Sequence, residues 1–131
     1  MSRSDTPADV GEHLPLTPLS FDVLLSLGDG PRHGYGMIKE IEGRTGEPLA
    51  SSTGTFYLAL KRLLKEGLIE VVEATGKGAR GRSYALTELG RAVAVAEADR
   101  LASLVGDAHR KKLLSDAALA AALDGRAGGE G

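Results

Sequence analysis

One change of hydrophobic period restricts what this chain can fold into. From Leu19 to Leu64 the apolar residues recur at helical spacing. Leu68-Ile69-Glu70-Val71-Val72-Glu73 is then rich in β-formers, and Arg82-Ser83-Tyr84-Ala85-Leu86 alternates polar with apolar. Between them lies Thr75-Gly76-Lys77-Gly78-Ala79-Arg80-Gly81, glycine-rich and basic. Two strands joined by such a stretch predict a hairpin. After Thr87 the helical period resumes. A hairpin set into an otherwise helical chain of 131 residues predicts one small domain, mainly α with a small β-hairpin.

Each predicted helix carries its own start and stop signals. Thr17-Pro18 supplies an N-cap and a proline at the first helical position, and Gly28-Asp29-Gly30-Pro31 ends that helix. Leu19, Val23, Leu24 and Leu27 make one face, while Phe21 and Leu25 lie on another. A short helix apolar on two sides needs two covers, and a second subunit is expected to supply one. His33-Gly34-Tyr35-Gly36 opens a second helix, with Met37, Ile38 and Ile41 inward, which ends near Thr45-Gly46. Ser51-Ser52 offers an N-cap for a third, from Thr53 to Glu66, closed by Gly67. Two helices joined by a turn, the second basic, form a helix-turn-helix, and a hairpin directly after it is a wing.

Thr87 caps a last helix running to about Leu114. Its third residue is Gly90 where a full capping box would have Glu. Val93, Leu101, Leu104, Val105 and Ala108 share a face that Glu97 interrupts. Such a helix outruns a three-helix core, so its far half is expected to pack on a second copy. Leu19, Phe21, Leu25, Val93, Leu101, Leu104, Val105 and Ala108 are therefore the expected dimer interface. The expected organisation is a flexible arm (1–15), a winged helix-turn-helix (16–87), a dimerisation helix (88–114) and an Ala/Gly-rich tail (115–131).

Composition removes several chemistries. The absence of cysteine excludes disulfides, thiolate metal sites and thiol nucleophiles. His13, His33 and His109 lie in three separate segments without metal-ligand spacing, and no triad order is present. Neither an enzyme nor a cofactor-dependent protein is expected. Gly76-x-Gly78-x-x-Gly81 formally matches a dinucleotide fingerprint, but a strand follows it where that fold needs a helix. No apolar run approaches the ~18 residues of a membrane span, and a soluble cytoplasmic protein is expected.

The net charge of −2 conceals a gradient: residues 52–86 carry six Lys and Arg against three Glu. Local sign, rather than net charge, decides whether a surface neutralises phosphates. With Phe56, Leu60 and Leu63 inward, the helical repeat turns Thr55, Leu58, Lys61, Arg62 and Lys65 outward. Ser52 and Thr53 stand at the amino end, where free N–H groups favour a phosphate. Lys61 and Lys65 suit phosphate contact, whereas Arg62 suits phosphate or a guanine edge. Leu58 is apolar on a polar face; it either touches a thymine methyl or packs under the wing or a neighbouring loop. Lys77, Arg80 and Arg82 have the sign and reach to meet a minor groove or backbone.

With these residues in view, the chain resembles the PadR family of bacterial transcriptional regulators. The resemblance rests on Leu16-Thr17-Pro18-Leu19-Ser20, His33-Gly34-Tyr35-Gly36, Gly54-Thr55-Phe56-Tyr57 and Lys61-Arg62-Leu63. It continues through Glu66-Gly67-Leu68-Ile69 and Tyr84-Ala85-Leu86-Thr87-Glu88-Leu89-Gly90. The resemblance implies a homodimer that binds double-stranded DNA at inverted-repeat operators, as a repressor relieved by a small-molecule effector. It further implies phosphate contacts from Tyr35 and Tyr57 and groove contacts from Ser52, Thr53 and Thr55. Some members hold flat aromatic drugs between tryptophans; this chain has no Trp, so that site does not transfer. The rival expectation is a winged-helix module that docks a protein partner without specific DNA binding.

Overall fold

The computed structural model describes residues 8–48, 53–73 and 82–125. Helices α1 (Ala8–Gly11), α2 (Pro18–Ser26), α3 (Gly34–Thr45) and α4 (Thr53–Lys65) precede strands β2 (Ile69–Glu73) and β3 (Arg82–Leu86). Strand β1 (Arg32–His33) lies between α2 and α3, and α5 (Glu88–Arg110) and α6 (Asp116–Asp124) complete the chain. The helix-turn-helix and the wing strands stand where the periodicity puts them.

Local chemistry accounts for the helix boundaries. Thr17 caps α2, its hydroxyl oxygen accepting from the Ser20 N–H at 3.1 Å. Gly46, at φ 76°, ends α3 and returns its N–H to the Glu42 carbonyl at 2.8 Å. Gly67, at φ 78°, does the same for α4: its N–H reaches the Leu64 carbonyl and the Leu68 N–H reaches that of Leu63. This paired closure needs a left-handed residue, which glycine adopts without steric cost.

The sheet is antiparallel in the order β1-β3-β2, so the hairpin has a third strand. Arg32 pairs with Tyr84 and His33 with Ser83, while Ile69 pairs with Leu86 and Glu73 with Arg82. Two residues are too few to display alternation, which is why β1 left no periodic signal. The core lies between α2, α3, α4, the sheet and the first turns of α5, with Leu24, Met37, Phe56, Leu63 and Leu68 fully buried. Arg32 braces it from outside, donating from Nε to the Ser26 carbonyl at 2.7 Å and pairing with Glu40 at 2.8 Å.

Helix α5 starts at a tight junction. The Thr87 hydroxyl accepts from the Gly90 N–H at 2.9 Å and donates to the Gly67 carbonyl at 2.6 Å. It thereby joins the end of α4 to the start of α5. A Cβ at Gly90 would fall 1.8 Å from the Leu68 carbonyl oxygen. Gly90 is the price of that close approach, and the missing Glu of a capping box follows from it.

The structure corrects several sequence expectations. The arm over 1–15 is not wholly flexible: Ala8–Gly11 is helical, Val10 is buried in the core, and His13 lies 3.6 Å from Glu66. Val93 is not a dimer-interface residue, because the first turns of α5 cover the core and bury it completely. Glu97 does not interrupt an outer stripe; it is 2 % exposed and forms a bidentate pair with Arg100 at 2.8 and 2.9 Å. Helix α5 ends at Arg110 rather than near Leu114. There Lys112 takes φ 65°, with its N–H on the His109 carbonyl and the Leu113 N–H on that of Ala108. The tail then forms α6, capped by Ser115 and tethered through His109 to Asp116 at 2.6 Å.

The remaining proposed interface residues stay accessible to different degrees. Leu25, Leu104 and Val105 are exposed, at 42, 52 and 42 %. Phe21, Leu101 and Ala108 are half-buried, as is Leu19, which packs against the core.

Candidate nucleic-acid interface

Helix α4 presents two chemically different sides. Phe56, Leu60 and Leu63 are buried, so the 100° turn per residue places Thr55, Leu58, Lys61, Arg62 and Lys65 outward, and all five are exposed. Leu58 is 68 % exposed, which removes the alternative of packing beneath another element among the described residues. Ser52, Lys77 and Arg80, together with the Ser51-Ser52 cap and the wing tip, lie outside the described residues. Thr53 begins α4.

Most cations on the other described helices are engaged in ion pairs. Arg32 and Arg44 pair with Glu40, Lys39 with Glu42, Arg100 with Glu97 and Arg110 with Asp107. Lys61, Arg62, Lys65 and Arg82 make no ion pair among the described residues. No ion pair among the described residues neutralises their charge. It is therefore open to an incoming anion.

A cleft of about 750 Å³ joins α4 to the wing. Tyr35, Tyr57, Arg82 and Tyr84 line it, with His33, Gly34 and Gly36 at the amino end of α3 forming its backbone edge. Tyr35 is 68 % exposed and has the Lys39 ammonium 5.6 Å from its ring centre. Tyr57 stands edge-on to buried Phe56, with ring centres 5.0 Å apart, which fixes its plane. A Cβ at Gly34 would come 3.0 Å from the Tyr57 hydroxyl, so that ring rests against a position that suits glycine. Of the residues named from sequence, the fold thus brings Tyr35, Tyr57 and Arg82 together. Sequence reasoning missed the part played by Arg32, His33 and Gly34, since β1 carries no pattern and a glycine's neighbour is invisible in one dimension.

No group of three or more potential metal ligands occurs among the described residues. No helix among them is long and apolar enough to cross a membrane.

Helix-turn-helix, wing and exposed basic helix define the class as a winged helix-turn-helix protein. Residues 23–96 match the model of the PadR-like family of transcriptional regulators, and the chain belongs to that family. Its members regulate transcription and are not enzymes. Among solved structures, the hsRosR-SG complex of H. salinarum RosR is similar at 29 % identity and TM-score 0.58, covering 87 % of this chain and 96 % of that one. TA0346 from Thermoplasma acidophilum is similar at 25 % identity and TM-score 0.53, covering 72 % and 90 %. A 37.1 kDa protein in transposon TN4556 of Streptomyces fradiae is 39 % identical over 84 residues, 64 % of this chain. The chain spans about a quarter of the length of that curated relative, 23 %.

Proposed function

We propose that this protein is a DNA-binding transcriptional regulator acting as a homodimer, with α4 in the major groove of each half-site and the wing at the flanking minor groove or backbone. The observation that carries the reading is the set of cations on α4 and β3 that make no ion pair among the described residues, where the other helices pair most of theirs. Lys61, Lys65 and Arg82 take phosphates, Tyr35 and Tyr57 add phenolic donors, and Arg62 reads a base edge. Thr55 and Leu58 face the groove, Leu58 against a thymine methyl. Ser52, Thr53, Lys77 and Arg80 join them on sequence alone.

Exposed Leu25, Leu104 and Val105 support the dimer, since α5 runs well beyond the core. A two-fold dimer reads an inverted repeat, its recognition helices about one DNA turn, roughly 34 Å, apart. Occupying such an operator represses the adjoining gene. The protein acts in the cytoplasm, where that DNA lies.

The deciding experiment titrates the protein onto duplex DNA from upstream of its own gene at two salt concentrations. Affinity is expected to fall steeply with salt, because bound phosphates release counterions. Weak binding that is equal for an unrelated duplex and insensitive to salt would overturn the reading.

A further inference from the structure

His33 occupies the N-cap position of α3 yet makes no side-chain cap to that helix. Its ring turns instead to the wing: Nδ1 lies 3.1 Å from the Arg82 carbonyl oxygen and 3.3 Å from the Ser83 hydroxyl. With the proton on Nδ1 the ring donates to the Arg82 carbonyl, which can only accept; with Nδ1 bare it accepts instead from the Ser83 hydroxyl. The shorter contact, to the carbonyl, favours the neutral tautomer with the proton on Nδ1 and Nε2 bare. The Ser83 side chain is buried, and its hydroxyl has no other partner among the described residues.

The position of this bond gives it leverage. Strand β1 is two residues long, so Arg32 against Tyr84 and His33 against Ser83 are its entire register with β3. The ring bond falls on Arg82, which lines the same cleft as Tyr57. The next residue, Gly34, is the one against which the Tyr57 hydroxyl rests. One dipeptide thus touches both the wing strand and the recognition helix.

We propose that His33 is a positioning residue for DNA binding: its Nδ1–H holds the Arg82 backbone, and so sets where the Arg82 guanidinium stands relative to Tyr57 on α4. The proposal rests on the DNA-binding reading above for its function, but its physical core is tested without DNA.

Nitrogen-15 NMR of the wild-type protein at pH 8 is expected to show the His33 Nδ1 protonated and Nε2 bare. An Nε2–H tautomer, or a fast average of the two, would overturn it. In His33→Ala, amide exchange at Arg82 and Ser83 should accelerate while core amides of α2 and α4 keep their protection; unchanged wing exchange would equally overturn it. With DNA, His33→Ala should weaken binding about three- to tenfold, the usual range for one lost hydrogen bond. His33→Asn, which keeps a donor on a short side chain, should recover most of the loss. In an Arg82→Ala background the His33→Ala change should cost almost nothing further, because its effect runs through Arg82. Additive losses would refute that route. If the wild-type protein binds no DNA, the regulatory reading fails, and the tautomer and exchange results still decide whether His33 holds the wing.

Discussion

At the scale of single residues, the proposed function divides the exposed face of α4 into positions that attract any duplex and positions that read one. Lys61→Ala is expected to weaken binding to all sequences alike and to flatten the log–log salt slope by about one. Arg62→Ala should instead cost about 1–3 kcal/mol at one base pair and relax preference there, which a panel of substituted operators would show. The outward set on α4 was legible because Phe56, Leu60 and Leu63 fix the helix's rotation, and the other residues follow by geometry. Gly90 was not legible in the same way. Its meaning is a distance to the Leu68 carbonyl, a neighbour more than 20 residues away. Gly90→Ala should destabilise the protein by at least about 2 kcal/mol, measured as a fall in the urea midpoint, since backbone on both sides blocks relaxation.

At the scale of elements, α5 is held by two polar devices. One is Thr87, whose hydroxyl serves the Gly67 carbonyl and the Gly90 N–H together. The other is buried Glu97. The Arg100 guanidinium bonded to it holds its carboxyl below the usual 4.5, against the opposing effect of burial, with the Arg100 charge and the Leu16 backbone N–H adding to the same side. A carboxyl with a lowered folded-state pKa stabilises the fold above its unfolded pKa, and that contribution is lost as pH falls through the folded value. Melting temperature should therefore drop on acidification below about pH 4.5, and Glu97→Gln should shrink that drop. At neutral pH the same substitution should cost about 1–3 kcal/mol, the range for a charge-assisted bond. A charged residue within an apolar stripe reads from sequence as a break in the stripe, because the partner is three residues on and the burial comes from the segment before α2. The end of α5 was hidden for a similar reason: its left-handed closing residue is Lys112, where glycine is the usual signal.

At the scale of the whole molecule, the fold class and the order of helix-turn-helix, wing and long helix were readable from period and punctuation alone. What escaped was the packing between distant segments: the docked residues before α2, the third strand and the buried start of α5. Those same contacts decide which apolar residues remain for a second copy. Leu104→Glu should dissociate the proposed dimer, seen as a halved mass in sedimentation, and should weaken operator binding far more than single half-site binding. Val93→Glu would unfold the protomer itself, a contrast that separates interface from core.

The junction at Gly90 has a mechanical consequence. From there to Arg110 the helix runs about 30 Å at 1.5 Å per residue, so a difference of five degrees in its direction where it crosses Leu68 displaces its far end by roughly 2.5 Å. In the proposed pair joined along these helices, buried Val93 and Glu97 hold the start of α5 to the core, so its direction at that junction sets the gap between the two α4 helices. On the proposed reading, the half-site spacing that fits is thus set in part by residues that meet no base.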